Sequence, residues 1–188
     1  MSSVVTARSR LTLLVRQAVA CTFFALLVGV CARVAIPLPG GVPFSMQPLA
    51  VMLTGLVLGS QLGFVALLEY VAAGALGAPV FALGGGGWAY LAAAPSAGYI
   101  YSYPFAVWLI GRIAEAGRAR PLRSFYACLA GLVVIYLVGN VYFAIHQRAG
   151  LVATLIAGTA PFIAFDVVKA AIAAAVARPG RGLLSGWW

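Results

Sequence analysis

Charge is what this sequence has least of. Only 8% of its 188 residues are charged, three of them acidic, beside 64% hydrophobic residues and a mean hydropathy of +1.06. A soluble domain carries roughly 25% charged residues. A chain this apolar has no polar surface to offer water and requires lipid as its outer solvent. Lysine occurs once, at Lys169, and histidine once, at His146. The glycine run 84–87 is therefore not followed by the Gly-Lys-Ser/Thr of a phosphate loop, and the chain is not expected to hydrolyse ATP. The lone histidine sits beside Gln147 and Arg148 in a polar outer loop. It has no triad signature and no second ligand nearby, so neither catalytic residues nor a metal site is expected. Cys21, Cys31 and Cys128 lie inside apolar runs, at spacings that match no metal or redox motif, and read as small packing residues.

What is present is a set of apolar runs punctuated by arginine. The net charge of +9 does not point to nucleic acid, because the arginines cluster between runs with no aromatic interleaving along a groove. That is the pattern of cytoplasmic loops. Arg8, Arg10 and Arg16 precede a long run that ends at IPLP with no small-residue cleavage site, so it reads as a first transmembrane helix and not a signal peptide. The runs predict an all-α integral membrane protein, one domain over 1–188, with about six transmembrane helices at approximately 12–35, 44–58, 63–76, 98–115, 125–143 and 161–177. The second and third are shorter than the roughly 20 residues of a full span, and GSQLG at 59–63 separates them as a turn.

Fusing those two runs would leave five spans, and charge decides between the counts. With six spans and cytoplasmic termini, Arg8, Arg10, Arg16, Arg112, Arg118, Arg120, Arg123, Arg178 and Arg181 face the cytoplasm. Only Arg33 and Arg148 then lie outside. Five spans reverse the bias, against the positive-inside rule.

That topology puts two long loops, 36–47 and 78–97, on the outer side. Both are rich in Pro, Gly and aromatics, and structureless loops beyond about 12–15 residues are uncommon unless functional. The 78–97 loop predicts a lid over an outward-facing pocket, a flexible linker being the alternative. Three ionisable residues interrupt apolar runs. A charge at the bilayer centre costs at least roughly 2.5–3.5 kcal/mol, so each needs a reason. Asp166 and Lys169, three apart on one helix face, offer an acceptor and a donor to a polar ligand, or a structural ion pair. Glu69 has three possible states: protonated and hydrogen-bonded, paired with a base, or lining the pocket. In the first helix, Ala25 and Gly29 form a small-residue stripe suited to internal packing or to docking a partner.

IPLP, VPFSMQPLAVMLTGLVLGSQLG, GALGAPVF, the glycine cluster, GYIYSYPFAVWLIGRIAE and PFIAFDVVKAAIAA follow one another from about Arg33 to Ala177. This order of motifs resembles that of the BioY family of biotin-uptake proteins, the substrate-binding (S) components of energy-coupling-factor (ECF) transporters. The resemblance implies the S-component fold and a biotin site beneath the outer loops. It also implies that Asp166 and Lys169 contact the ligand, with Gln47 and Tyr99 at matching positions as further candidates. APSAGY at 94–99 departs from the family's Gly-Pro-Thr-Gly-Gly-Tyr, and Glu69 stands where an apolar residue is expected.

The expected function is biotin binding and uptake across the bacterial inner membrane by a multi-pass subunit. Asp166 would accept ureido N–H bonds, Lys169 would donate to a ligand oxygen, and Trp88 and Phe44 would form apolar walls. No cofactor is expected on this chain. By family analogy a transmembrane coupling subunit and two ATPase subunits, using ATP, are its partners; self-association stays open, and nucleic acid is not a partner. The alternatives are an S component for thiamine or riboflavin, and an autonomous proton-coupled transporter with Glu69 as carrier.

Overall fold

A computed structural model describes residues 2–38, 41–116 and 120–184, with side chains described except at 2–9, 151 and 178–184. Arg118 and the side chains of Arg8, Arg178 and Arg181 lie outside that set. Seven helices and one minimal hairpin make up the described chain: α1 (Ser2–Arg33), β1 (Ala35–Ile36), β2 (Phe44–Ser45), α2 (Gln47–Ala75), α3 (Trp88–Ala93), α4 (Ala97–Glu115), α5 (Pro121–Gln147), α6 (Leu151–Gly158) and α7 (Ile163–Leu184).

Apolar length and proline set the first boundaries. α1 ends at Arg33, and prolines at 37 and 43 prevent helix from resuming at once. Phe44 and Ser45, expected within a helix, instead pair antiparallel with Ile36 and Ala35. The Met46 N–H continues that pairing onto the Val34 carbonyl. Helix resumes at Gln47 with Pro48 in its first turn, where a missing N–H costs nothing.

α2 is folded back on itself. Gly59 has φ 78° and ψ −169° inside it, a conformation open to glycine and strained for other residues. A straight helix would hold residues 47 and 70 about 35 Å apart, yet the Gln47 amide donates to the Tyr70 hydroxyl at 2.6 Å. The turn read from GSQLG is therefore a reversal between two antiparallel halves. At the reversal, Glu115 from the end of α4 accepts from the Ser60 N–H (2.6 Å) and the Ser60 hydroxyl (2.9 Å), capping the second half. Gly111 lies so close to the Gly59–Ser60 backbone that a Cβ there would collide with the Ser60 nitrogen.

Beyond α4 the structure departs from the expected boundaries. α5 runs to Gln147, so His146 occupies its last turn, stacked on Tyr142, and is not in a loop. Residues 151–158, expected as loop, form α6, which meets α7 at a 49° bend. Arg10–Arg33, Gln47–Ala75 and Pro121–Gln147 have the length and apolarity of membrane spans, and the bent α6–α7 pair adds a fourth. The doubling back of α2 makes its two halves separate short rods. The outer surface is apolar, with Phe23, Leu26 and Val30 on α1 and Val133, Leu137 and Val141 on α5 all exposed. That shell fits lipid and would aggregate in water. Ala25 and Gly29 are buried, and Gly29 packs on Val80 of the 78–97 loop. Of the two roles open to the stripe, the structure shows internal packing at Ala25 and Gly29.

Candidate ligand-binding site

The starts of α2, α4 and α7 converge with the middle of α5 at the end of the bundle opposite Gly59. Between them lies a narrow cavity of about 50 Å³, walled by Val42, Ile100, Ile135 and Phe162 and closed by Tyr90 and Ser96 from the 78–97 segment. Phe81, fully buried between Tyr70 and Tyr90, anchors that segment. Two tyrosines hold α3 from outside: Tyr101 donates to the Leu91 carbonyl (2.9 Å), and Tyr142 reaches the carbonyls of Leu91 and Ala92 (3.2 and 3.1 Å). The loop is thus a folded lid.

Asp166 and Lys169 line the cavity, 3% and 4% exposed, joined at 2.7 Å. Their helical spacing makes the contact local, and removing either partner would strand a buried charge. The ammonium also donates to the Ser45 carbonyl at 2.7 Å and lies 4.1 Å above the Phe44 ring. Two of its three protons are thus taken by Asp166 and the Ser45 carbonyl, and Lys169 still borders the cavity. Asp166 accepts from Lys169 on one oxygen and from the Tyr136 hydroxyl (2.6 Å) on the other. A carboxylate has about four acceptor sites, so Asp166 keeps capacity for a ligand N–H.

The other expected residues divide. Gln47 lines the cavity, but its amide is engaged on both sides, accepting from the Ser45 hydroxyl (3.1 Å) and donating to Tyr70. Tyr70 passes the chain on to the Val80 carbonyl of the lid at 3.1 Å. Tyr99 also lines the cavity, with its hydroxyl turned to the Asn140 side-chain oxygen (3.0 Å) and the Gly158 carbonyl (2.8 Å), so it ties α4 to α5 and α6. Phe44 backs Lys169 and packs on Phe162 and Phe165 without walling the cavity. Trp88 is 70% exposed and absent from the lining; the lid aromatic that reaches the cavity is Tyr90. Phe44 and Trp88, expected as walls, thus lie outside the lining of this cavity. Glu69 also stands off the cavity, half-buried, accepting from Thr22 of α1 at 2.7 Å. Tyr103 and Tyr136 line the site and escaped the sequence reading, because a tyrosine in an apolar helix fits packing or a membrane interface equally well.

The BioY family profile matches residues 3–185. The chain belongs to the BioY family. Among BioY relatives, it is 41% identical over 159 residues to a protein named as a probable biotin transporter from Pyrococcus horikoshii, covering 85% of this chain and 92% of that one. It is 35% identical over 165 residues to the biotin transporter BioY of Thermotoga maritima, covering 86% and 94%. The fold is that of an S-component. A solved S-component for biotin from an ECF-type ABC transporter superposes with a TM-score of 0.81 at 24% identity, over 89% of this chain and 92% of that chain.

Proposed function

We propose that this chain is the biotin-binding subunit of an ECF transporter in the bacterial inner membrane. The observation that carries the reading is the buried Asp166–Lys169 pair facing a cavity lined by tyrosines and by aliphatic side chains. Biotin matches that chemistry: a ureido group to be held by fixed polar atoms, and fused rings to be buried against aliphatic and aromatic side chains. The names borne by the BioY relatives point to the same ligand. Asp166 accepts a ureido N–H, held in place by the Tyr136 hydroxyl and by Lys169, which the Ser45 carbonyl fixes in turn. Since the chain has no phosphate loop, the energy for inward release comes from a transmembrane coupling subunit and two ATPase subunits. The protein crosses the membrane six times with both termini cytoplasmic, each half of α2 counting as a crossing and the arginines of the Gly59 end facing inward. Glu69 as a proton carrier has no support from its position beside Thr22, away from the cavity.

The test is biotin binding to detergent-purified protein, wild type beside Asp166→Asn and Lys169→Met. Each substitution is expected to cost about 2 kcal/mol or more, the usual effect of truncating one partner of a buried charged contact. Binding untouched by both would remove the pair from the site. A wild type that ignores biotin but binds thiamine or riboflavin would reassign the ligand.

A further inference from the structure

Nine polar or charged side chains line the cavity: Ser45, Gln47, Tyr90, Ser96, Tyr99, Tyr103, Tyr136, Asp166 and Lys169. Eight of them have protein partners. Ser45 bonds Gln47, Gln47 bonds Tyr70, and Tyr90 bonds Ser96. Tyr99 bonds Asn140, Tyr136 bonds Asp166, and Asp166 bonds Lys169. Tyr103 is the exception among the described residues. Its ring, on α4, packs against Tyr70, and the residue is 4% exposed. Yet no side-chain nitrogen or oxygen among the described residues is sealed away without a hydrogen-bond partner. The Tyr103 hydroxyl, which bonds to no protein group, therefore opens on the cavity its ring lines.

A ligand that presents both N–H and C=O groups needs an acceptor and a donor. Asp166 supplies the acceptor. Lys169 already donates to Asp166 and the Ser45 carbonyl, and the Gln47 amide donates to Tyr70. The Tyr103 hydroxyl is the lining donor that has no hydrogen-bond partner at all among the described residues. We propose that the Tyr103 hydroxyl donates to the ureido carbonyl oxygen of biotin while Asp166 accepts from the adjacent N–H, an assignment that rests on the biotin reading above. Lys169 then holds Asp166 in place, and Tyr103 adds a donor to the ligand's carbonyl.

The experiment compares wild type with Tyr103→Phe on three ligands: biotin, its methyl ester, and the 2-thio analogue, whose C=S is a weaker acceptor than the ureido C=O. Loss of a hydroxyl from a buried hydrogen bond is expected to weaken biotin and its methyl ester alike, by roughly tenfold. Wild type should prefer biotin over the thio analogue, and Tyr103→Phe should erase most of that preference. A purely structural defect would lower all three affinities together and leave the preference intact, overturning the proposal. Equal biotin affinity in the two proteins would also overturn it. A loss seen with biotin but not with the ester would move the hydroxyl to the carboxylate and overturn the ureido assignment. Failure of the wild type to bind biotin at all would overturn the parent reading, and this one with it.

Discussion

Asp166 and Glu69 are both carboxylates on apolar helices, and their surroundings assign them different work. Asp166 is enclosed, with a cation on one oxygen and a tyrosine on the other. Glu69 is half-buried between α1 and α2 with a single hydroxyl donor, Thr22. An amide oxygen also accepts from a hydroxyl, through a weaker bond than a carboxylate oxygen makes. Glu69→Gln is therefore expected to keep the contact to Thr22 and leave biotin affinity within about twofold of wild type, as read by ligand titration, since surface changes away from a site are usually within ±0.5 kcal/mol. A tenfold loss would place Glu69 in the binding path. The same contrast explains what was legible at this scale. Asp166 and Lys169 announce themselves because charge in an apolar run needs a reason. Tyr103 and Tyr136 do not, and only the fold brings α4, α5 and α7 around one space.

Among the elements, the segment between α2 and α4 shows how far composition reaches. Its prolines, glycines and aromatics predicted a lid, but not which aromatic would turn inward. Phe81 is buried and Trp88 is exposed, and that choice is made by Tyr70 and Tyr90, which flank Phe81. The GSQLG turn was legible because glycine punctuates two apolar runs, whereas α6 was not, since eight residues are too few to separate a helix from an apolar loop. The cavity of about 50 Å³ is far below the 300–1,000 Å³ of small-molecule sites, so a biotin-bound state requires it to widen, and movement of α3 is open to test. Tyr101 and Tyr142 restrain α3 through carbonyls. Replacing both by Phe removes those hydrogen bonds, each worth about 1 kcal/mol. Release of labelled biotin into an unlabelled chase is expected to quicken by about tenfold or more. An unchanged release rate would show that α3 does not move when biotin leaves.

For the molecule as a whole, arginine is unevenly placed between the ends of the bundle. Arg33, whose guanidinium donates to the Pro79 carbonyl of the lid at 2.6 Å, stands at the site end. Arg112, Arg120 and Arg123 gather where α4 ends and α5 begins, at the Gly59 end, with Arg123 donating to the Ile113 carbonyl of α4. With the site end outward, reporter fusions to either terminus should give fluorescent cytoplasmic protein and inactive alkaline phosphatase. Active phosphatase at one terminus only would mean an odd number of crossings and return α2 to a single span.

The cap that Glu115 places on Ser60 joins residues 55 apart in the chain. At ribosomal rates of about 5–20 residues per second, the α2 hairpin, complete at Ala75, is made roughly 2–8 s before the carboxylate that satisfies its turn. During that interval the Ser60 amide must be served by water or lipid headgroups at the membrane surface. The hairpin therefore waits with its reversal outside the hydrocarbon, and the arrival of α4 is the step that seals the bundle at that end.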